Sequence, residues 1–124
     1  MPELTVELAQ RSYPILIESG LLGAPMNRTA PIHGAALIVT DSHVGPLYAE
    51  RLKQYIGRPD CPVWNMPAGE REKNLARFTE LLENMADLKL TRDRCILALG
   101  GGVVGDLAGF AAACYMRGIA FIQV

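Results

Sequence analysis

Short apolar runs alternate with longer segments of helical character along most of this 124-residue sequence. The apolar runs have the length and composition of strands that are buried on both faces of a sheet. They lie at residues 35–40, 63–66, 95–99 and 120–124. The predicted helices between them lie at residues 46–56, 72–88 and 103–116. This alternation predicts an α/β fold, in which helices cover both faces of a parallel sheet.

The first 23 residues follow a different pattern. Residues 3–8 alternate apolar and polar side chains, and residues 12–17 form a second extended run that contains Pro14. Proline is tolerated mainly in edge strands. We therefore expect an N-terminal antiparallel β-hairpin at the margin of the sheet, followed by one helical turn at residues 19–23.

Two of the predicted helices differ in how much of their surface is apolar. Residues 103–116 are apolar or small all round, which predicts a buried helix. Residues 72–88 instead place one apolar face towards the core. That face is formed by Leu75, Phe78, Leu81, Leu82, Met85 and Leu88.

Composition and charge limit the classes of function. The formal net charge of −1 gives no electrostatic footprint for nucleic acid. The N-terminus lacks the continuous apolar core of a signal peptide, and Cys61, Cys95 and Cys114 are widely spaced in apolar surroundings. We interpret these cysteines as buried reduced thiols, and we expect a cytoplasmic protein of one domain.

A membrane-spanning segment is the competing interpretation of residues 95–116. This stretch carries a single charge and is long enough to cross a bilayer. However, Asp106 near its centre would cost about 2.5–3.5 kcal/mol on an insertion scale. Three adjacent glycines also disfavour a continuous helix. We therefore predict no membrane association.

The glycine-rich stretch LALGGGVVGDLAGF gives the strongest functional signal. A predicted strand leads directly into Gly100, Gly101 and Gly102, and Gly105 completes a G-x-G-x-x-G pattern before a predicted helix. Such a bare turn at a helix N-terminus can hold a phosphate or pyrophosphate with backbone N–H groups. A standard Rossmann pattern requires an acidic residue about 20 positions later, and this sequence has none there. The fold is therefore predicted to be only Rossmann-like, and packing alone would also explain the glycines.

Two aspartates lie close to this turn in the predicted fold. Asp106 falls in the predicted first turn of the helix, where the helix dipole favours it and where it could contact a ribose hydroxyl. Asp41 follows the strand at 35–40, so it is expected at the carboxyl edge of the sheet, where ligands of open parallel sheets bind. An Asx-turn or a helix cap would be the structural explanation of Asp41.

A third candidate is the segment PAGEREK, residues 67–73. Glu70 and Lys73 are three residues apart at the predicted start of a helix, so they should share a face. A cation in a first turn opposes the helix dipole, which points to a functional role for Lys73. A solvated ion pair remains the alternative.

The segments MPAGEREK and ALGGGVVGDLAGFAAACYMRGIAFIQV together resemble the 3-dehydroquinate synthase family, and SYPILIESGLL and VTDSHV resemble its opening segments. The resemblance implies an N-terminal NAD-binding domain, here residues 1–124 and incomplete. In the family a mainly helical C-terminal domain follows. The activity implied is a lyase of the shikimate pathway of aromatic amino acid biosynthesis. It converts 3-deoxy-D-arabino-heptulosonate 7-phosphate (DAHP) to 3-dehydroquinate and phosphate, with NAD and a divalent zinc or cobalt ion.

The resemblance also assigns roles to individual residues. It implies that Arg117 contacts the substrate phosphate from the partner subunit of a homodimer. Neither the metal ligands nor a catalytic residue is expected within residues 1–124. The NAD contacts implied are Asp41, Glu70, Lys73, Gly100, Gly101, Gly102, Val103, Gly105 and Asp106.

The last residue, Val124, falls inside a predicted strand, which favours a fragment of a longer protein. Because the resemblance implies that the metal ligands and most substrate residues lie beyond Val124, we expect the fragment to be inactive by itself. Three alternatives stay open. The full-length protein could be another NAD-dependent sugar-phosphate cyclase, an enzyme that resembles polyol dehydrogenases, or a binding or dimerisation module without catalysis.

Overall fold

The computed structural model describes residues 3–17, 19–23 and 34–124. It confirms the predicted alternation of strands and helices. The strands are β1 (Glu3–Val6), β2 (Tyr13–Leu16), β3 (Ala35–Asp41), β4 (Val63–Met66), β5 (Cys95–Ala98) and β6 (Ala120–Gln123). The helices are α1 (Gly45–Tyr55), α2 (Leu75–Asp87) and α3 (Gly102–Cys114). Short 3-10 turns lie at Ala9–Arg11, Leu21–Gly23, Glu70–Glu72 and Tyr115–Arg117.

Four strands form a parallel sheet in the order β4-β3-β5-β6. The sheet divides the apolar core into two layers. Side chains of α2 and α3 pack on one face of the sheet, around Leu81, Met85 and Ala108. Helix α1 packs on the opposite face through Ala49 and Leu52. The predicted α/β architecture, with helices on both faces, is therefore confirmed.

The predicted N-terminal hairpin is confirmed, but its predicted place at the margin of the main sheet is not. Strands β1 and β2 pair antiparallel as a separate two-stranded sheet, in a register that places Leu4 opposite Ile15 and Val6 opposite Tyr13. These four side chains share one face of the hairpin because side chains alternate along a strand.

The prediction for the start of α2 was wrong by three residues. The helix begins at Leu75 rather than at residue 72, because Asn74 adopts an extended conformation and its Oδ1 accepts a hydrogen bond from the N–H of Arg77. The predicted apolar face is also too long. Leu81 and Met85 are fully buried, but Leu75 at the first position is 77% exposed and Leu88 lies beyond the last turn.

Helix α3 is not buried all round, contrary to the prediction. Val104, Ala108 and Ala111 face the sheet, whereas Phe110 is 56% exposed. The low polarity of a helix surface therefore does not show that every side of it is covered. Cys61 and Cys95 are buried as expected, but Cys114 at the end of α3 is exposed, so the prediction for this thiol was wrong.

Residues 95–116 form a strand, a glycine turn and a helix of 13 residues. Within the described ranges, no helix is both long and apolar enough to cross a bilayer. Residues 95–116 therefore do not form the single continuous helix that the competing interpretation required.

Candidate functional site

The candidate site lies where the chain changes direction across the sheet. From β3 the chain passes through α1 on one face to β4, and from β5 it passes through α3 on the other face to β6. Neighbouring strands whose helices leave to opposite faces open a crevice outside their carboxyl ends. Asp41 and Gly100 both lie there, each two residues beyond the paired Val39 and Ala98.

Asp41 is placed at this edge as predicted, as the last residue of β3. Its Oδ1 accepts hydrogen bonds from the backbone N–H groups of His43 at 2.9 Å and Val44 at 2.8 Å. These bonds form the Asx-type turn that was the structural alternative. The turn leads the chain into α1, and it leaves Oδ2 outside both bonds. A ligand contact of Asp41 stays a prediction.

The three glycines form an open turn at the N-terminus of α3. Gly100 has φ +153°, a conformation that other residues rarely adopt. Gly101 is the N-cap and has no side chain to satisfy the first N–H groups of the helix. A Cβ atom added to Gly101 or Gly102 would have no atom within 4 Å. Both positions therefore leave space in front of the N–H groups, as an anion-binding turn requires.

Two other members of the glycine-rich stretch lie differently. Val103 is partly buried against the core, and Gly105 is buried behind the turn. A Cβ atom at Gly105 would approach Nε2 of Gln123 to 2.7 Å. The bare α-carbon of Gly105 thus leaves room for the Gln123 side chain of β6, which favours the packing explanation for this glycine.

Lys73 joins the loop before α2 to helix α3. Its Nζ lies 2.7 Å from Oε1 of Glu70 and 3.3 Å from Oδ2 of Asp106. The hydrogen bond to Glu70, and then the one to Asp106, raise the pKa of the Lys73 ammonium above its ordinary value. One cation therefore partly compensates two carboxylates beside the glycine turn, which limits their repulsion of an anion.

The local positions of these two partners differ from the prediction. Lys73 ends the 3-10 turn Glu70–Glu72 and precedes the N-cap Asn74, so it is not in the first turn of a helix and does not oppose its dipole. Asp106 is the fifth residue of α3 and lies beyond its first turn. The charges of Lys73 and Asp106 are therefore compensated by their ion pair rather than by a helix dipole.

An open groove of about 340 Å³ runs beside this ion pair, between α2 and α3. Phe78 and Phe110 both line it and lie against each other, with ring centroids 4.6 Å apart. The groove is lined by Lys73, Asn74, Leu75, Phe78, Asp106, Leu107 and Phe110. The site thus combines a charged centre with an exposed aromatic wall.

The profile of the family described as 3-dehydroquinate synthase N-terminal matches residues 63–124, which include the Glu70 loop and the whole glycine turn. The chain belongs to this family.

Curated members of the 3-dehydroquinate synthase family are similar over almost the whole chain. The protein from Xylella fastidiosa (strain 9a5c) is 50% identical over 117 residues, which cover 90% of this chain and 30% of the relative. The protein from Colwellia psychrerythraea (strain 34H) is 44% identical and covers all of this chain and 35% of the relative. Both are named 3-dehydroquinate synthase. The chain spans about a third of the length of these relatives.

Two solved structures share the fold. A complex of 2-deoxy-scyllo-inosose synthase with carbaglucose-6-phosphate, NAD⁺ and Co²⁺ superposes with a TM-score of 0.82 at 28% identity, and covers 99% of this chain and 35% of that one. The second is ValA, a 2-epi-5-epi-valiolone synthase from Streptomyces hygroscopicus subsp. jinggangensis 5008 with NAD⁺ and Zn²⁺ bound. It superposes with a TM-score of 0.75 at 29% identity, and covers 95% of this chain and 33% of that one.

In this member of the 3-dehydroquinate synthase family, Arg117 lies apart from the other predicted residues. The glycine turn begins α3 at the carboxyl edge of the sheet, and Arg117 follows the other end of that helix. A helix of 13 residues is about 20 Å long. Arg117 is exposed and has φ +66° in a left-handed turn. It therefore belongs to a different surface from the Lys73 cluster of the same chain.

Three residues that the sequence did not single out shape the site. Asn74 and Arg77 hold the loop that carries Lys73, and the exposed Phe110 forms a wall of the groove. Asn74 immediately before an apolar periodic segment is a capping signal that could have been found. Phe110 belongs to the segment that carries the family resemblance, but its exposure was not predicted, because it was assigned to a buried helix.

Proposed function

We propose that the full-length protein is a 3-dehydroquinate synthase, which converts DAHP to 3-dehydroquinate and inorganic phosphate. Membership of the family and relatives of that name at 44–50% identity support this reaction. We further propose that the enzyme is cytoplasmic and that it binds NAD at the crevice described above. The observation that carries the cofactor proposal is the open glycine turn at the direction change of the sheet.

The residues present fit a dinucleotide. The N–H groups at the start of α3 can donate to a pyrophosphate, because Gly101 and Gly102 leave room for it. Lys73 adds a positive charge nearby, while Glu70, Asp106 and the second oxygen of Asp41 can accept hydrogen bonds from ribose hydroxyls. Gly100 sets the turn, and Gly105 and Val103 support it from behind.

Bound NAD would supply reversible hydride transfer to and from the substrate. The residues of this chain bind and orient the cofactor and hold the charge around it. A zinc or cobalt ion is a different matter. In the parts of the chain that the structure describes, no three His, Cys, Asp or Glu side chains are grouped so that they could hold a metal. The described residues therefore do not supply a metal site.

Arg117 is proposed to bind the substrate phosphate of the partner subunit in a homodimer. Its guanidinium suits a phosphate because it offers two parallel donors. Its separation from the glycine turn of its own chain by the length of α3 favours a role across a subunit interface.

A related sugar-phosphate cyclase is the second candidate, because the two structural neighbours named above act in that wider class. The identity to these proteins is 28–29%, compared with 44–50% for the 3-dehydroquinate synthases. Assays of the full-length protein with DAHP and with glucose 6-phosphate separate the two. Turnover of DAHP with phosphate release supports our proposal, and turnover of only the hexose phosphate overturns it.

The cofactor site is tested by Gly102→Val in the full-length protein. A valine Cβ has open space at this position, so the fold should survive while the branched side chain blocks the pyrophosphate. We expect calorimetry to show at least a hundred-fold weaker NAD binding, about 2.7 kcal/mol. Ala113→Val, at an exposed position of the same helix, is the matched control and should bind NAD normally. Unchanged affinity in a folded Gly102→Val variant would refute the site.

A further inference from the structure

The loop between β4 and α2 presents Glu70 and Lys73 from one tight turn. The N–H of Glu72 donates to the carbonyl of Gly69 at 3.0 Å, and the N–H of Lys73 donates to the carbonyl of Glu70 at 3.1 Å. Gly69 has φ +127°, which allows the sharp entry into the turn. The direction of the Lys73 side chain therefore depends on how firmly this single turn is held.

Two side chains of the following segment hold it. Asn74 Nδ2 donates to the carbonyl of Arg71 at 3.0 Å, while its Oδ1 accepts from the N–H of Arg77 at 2.9 Å. Arg77 Nε in turn donates to Oε2 of Glu72 at 2.7 Å. Lys73 lies between Glu72 and Asn74, so both of its chain neighbours are tied to the first turn of α2.

The ion pair between Arg77 and Glu72 is better shielded from water than the ion pair between Lys73 and Asp106. The side chains of Arg77 and Glu72 are 28% and 22% exposed, whereas those of Lys73 and Asp106 are 38% and 67% exposed. Water screens a less exposed pair less strongly. The hydrogen bond to Glu72, and then the one to Glu80, raise the pKa of Arg77 above its ordinary value. The guanidinium also reaches Glu80 at 3.0 Å, on the half-exposed side of α2.

We propose that Arg77 and Glu72 are positioning residues, which hold the loop so that Lys73 stays on Asp106 beside the bound nucleotide. This inference rests on the proposed NAD site. Neither residue is needed to touch the ligand. Their pair fixes the turn before the ligand arrives, so less conformational freedom is lost on binding.

The first test measures NAD affinity of the full-length protein by calorimetry. We expect Arg77→Met, which keeps the aliphatic stem, and Glu72→Gln each to weaken binding about three- to ten-fold. In a Lys73→Met background, Arg77→Met should weaken it less than two-fold further, because the residue that it positions is gone. Glu80→Gln, which removes the other partner of the same guanidinium, is the matched control and should change affinity less than two-fold. Equal losses from Arg77→Met with and without Lys73 would overturn the proposal.

The second test does not depend on NAD. Acetic anhydride labelling, read by peptide mass spectrometry, reports how accessible the Lys73 amino group is. We expect Arg77→Met and Glu72→Gln to raise the labelling rate of Lys73 at least three-fold relative to Lys89, an exposed lysine outside this loop. An unchanged rate in both variants refutes the positioning role. If the wild-type protein binds no NAD but the rate rises, the proposed function fails and the positioning of Lys73 stands.

Discussion

At the scale of single residues, the candidate site contains one cation shared by two carboxylates. Glu70 and Asp106 come from different elements, and neither would be favoured beside an anion without Lys73 between them. Their sequence separation explains why the sequence did not predict the contact between Lys73 and Asp106. Spacing predicted the pair of Glu70 and Lys73, but 33 residues separate Lys73 from Asp106, and only the packing of α2 against α3 brings them together.

The raised pKa of Lys73 gives a pH dependence with a defined sign. A group whose pKa is raised in the folded state stabilises the fold below its unfolded pKa, here about 10.5. This contribution is lost as the pH rises through the higher folded pKa. We therefore expect urea denaturation to show wild type more stable than Lys73→Met at pH 7 and 9, with the difference shrinking above pH 10.5.

Lys89→Met is the control for that experiment, because Lys89 is exposed and outside the cluster. The difference in free energy of unfolding between wild type and Lys89→Met should not shrink above pH 10.5 in the same way. A Lys73→Met difference that grows at alkaline pH would contradict the assignment.

The three cysteines should differ in reactivity. Burial raises the pKa of both the Cys61 and the Cys95 thiol, so less of each is the reactive thiolate, while Cys114 is exposed. We expect iodoacetamide to alkylate Cys114 in the native protein and to reach the other two only after denaturation, as measured by peptide mass spectrometry. Protection of Cys114 in the full-length protein would show that the end of α3 is covered there.

At the scale of elements, two helices begin with glycine for opposite reasons. A Cβ atom at Gly45, the first residue of α1, would lie 2.7 Å from Oδ1 of Asn65 and 2.9 Å from Cγ2 of the buried Thr40. Gly102, the first residue of α3, faces open space. The first glycine therefore serves the packing of the helix, and the second leaves room for a ligand.

Alanine at these two positions should separate stability from binding. We expect Gly45→Ala to lower the free energy of unfolding by about 1–3 kcal/mol, because Thr40 cannot easily move. Gly102→Ala should change it by less than about 0.5 kcal/mol. Urea denaturation measures both, and equal destabilisation of the two variants would show that the glycine turn is also closely packed.

The elements themselves were largely predictable, whereas their exposed faces were not. Apolar strands and helical periodicity come from local sequence, so the order of β3 to β6 and α1 to α3 followed from it. The exposure of Leu75 and Phe110 depends on where neighbouring elements end. Those boundaries are set by caps such as Asn74, which change the register of a face by a few residues.

At the scale of the whole molecule, the proposed role of Arg117 across a homodimer predicts complementation between inactive subunits. In a mixed dimer of Arg117→Ala and Gly102→Val subunits, one site combines an intact glycine turn with an intact partner arginine. The other site carries both defects. We expect DAHP turnover to recover towards half the wild-type rate per mixed dimer, measured by phosphate release. No recovery in a demonstrated mixed dimer would place Arg117 in the site of its own subunit.

The crevice also requires a long-range closure of the chain. Thr40 Oγ1 donates to the carbonyl of Leu99 at 2.7 Å across 59 residues of sequence, at the point where β3 meets β5. Such a non-local contact is costly in chain entropy, because a long loop must close before it is made. The two halves of the crevice therefore lie side by side only once β3 and β5 have paired. A nucleotide bound across them would recognise only the finished fold. At a hundred times its dissociation constant it would add about 2.7 kcal/mol to stability, mainly by slowing unfolding.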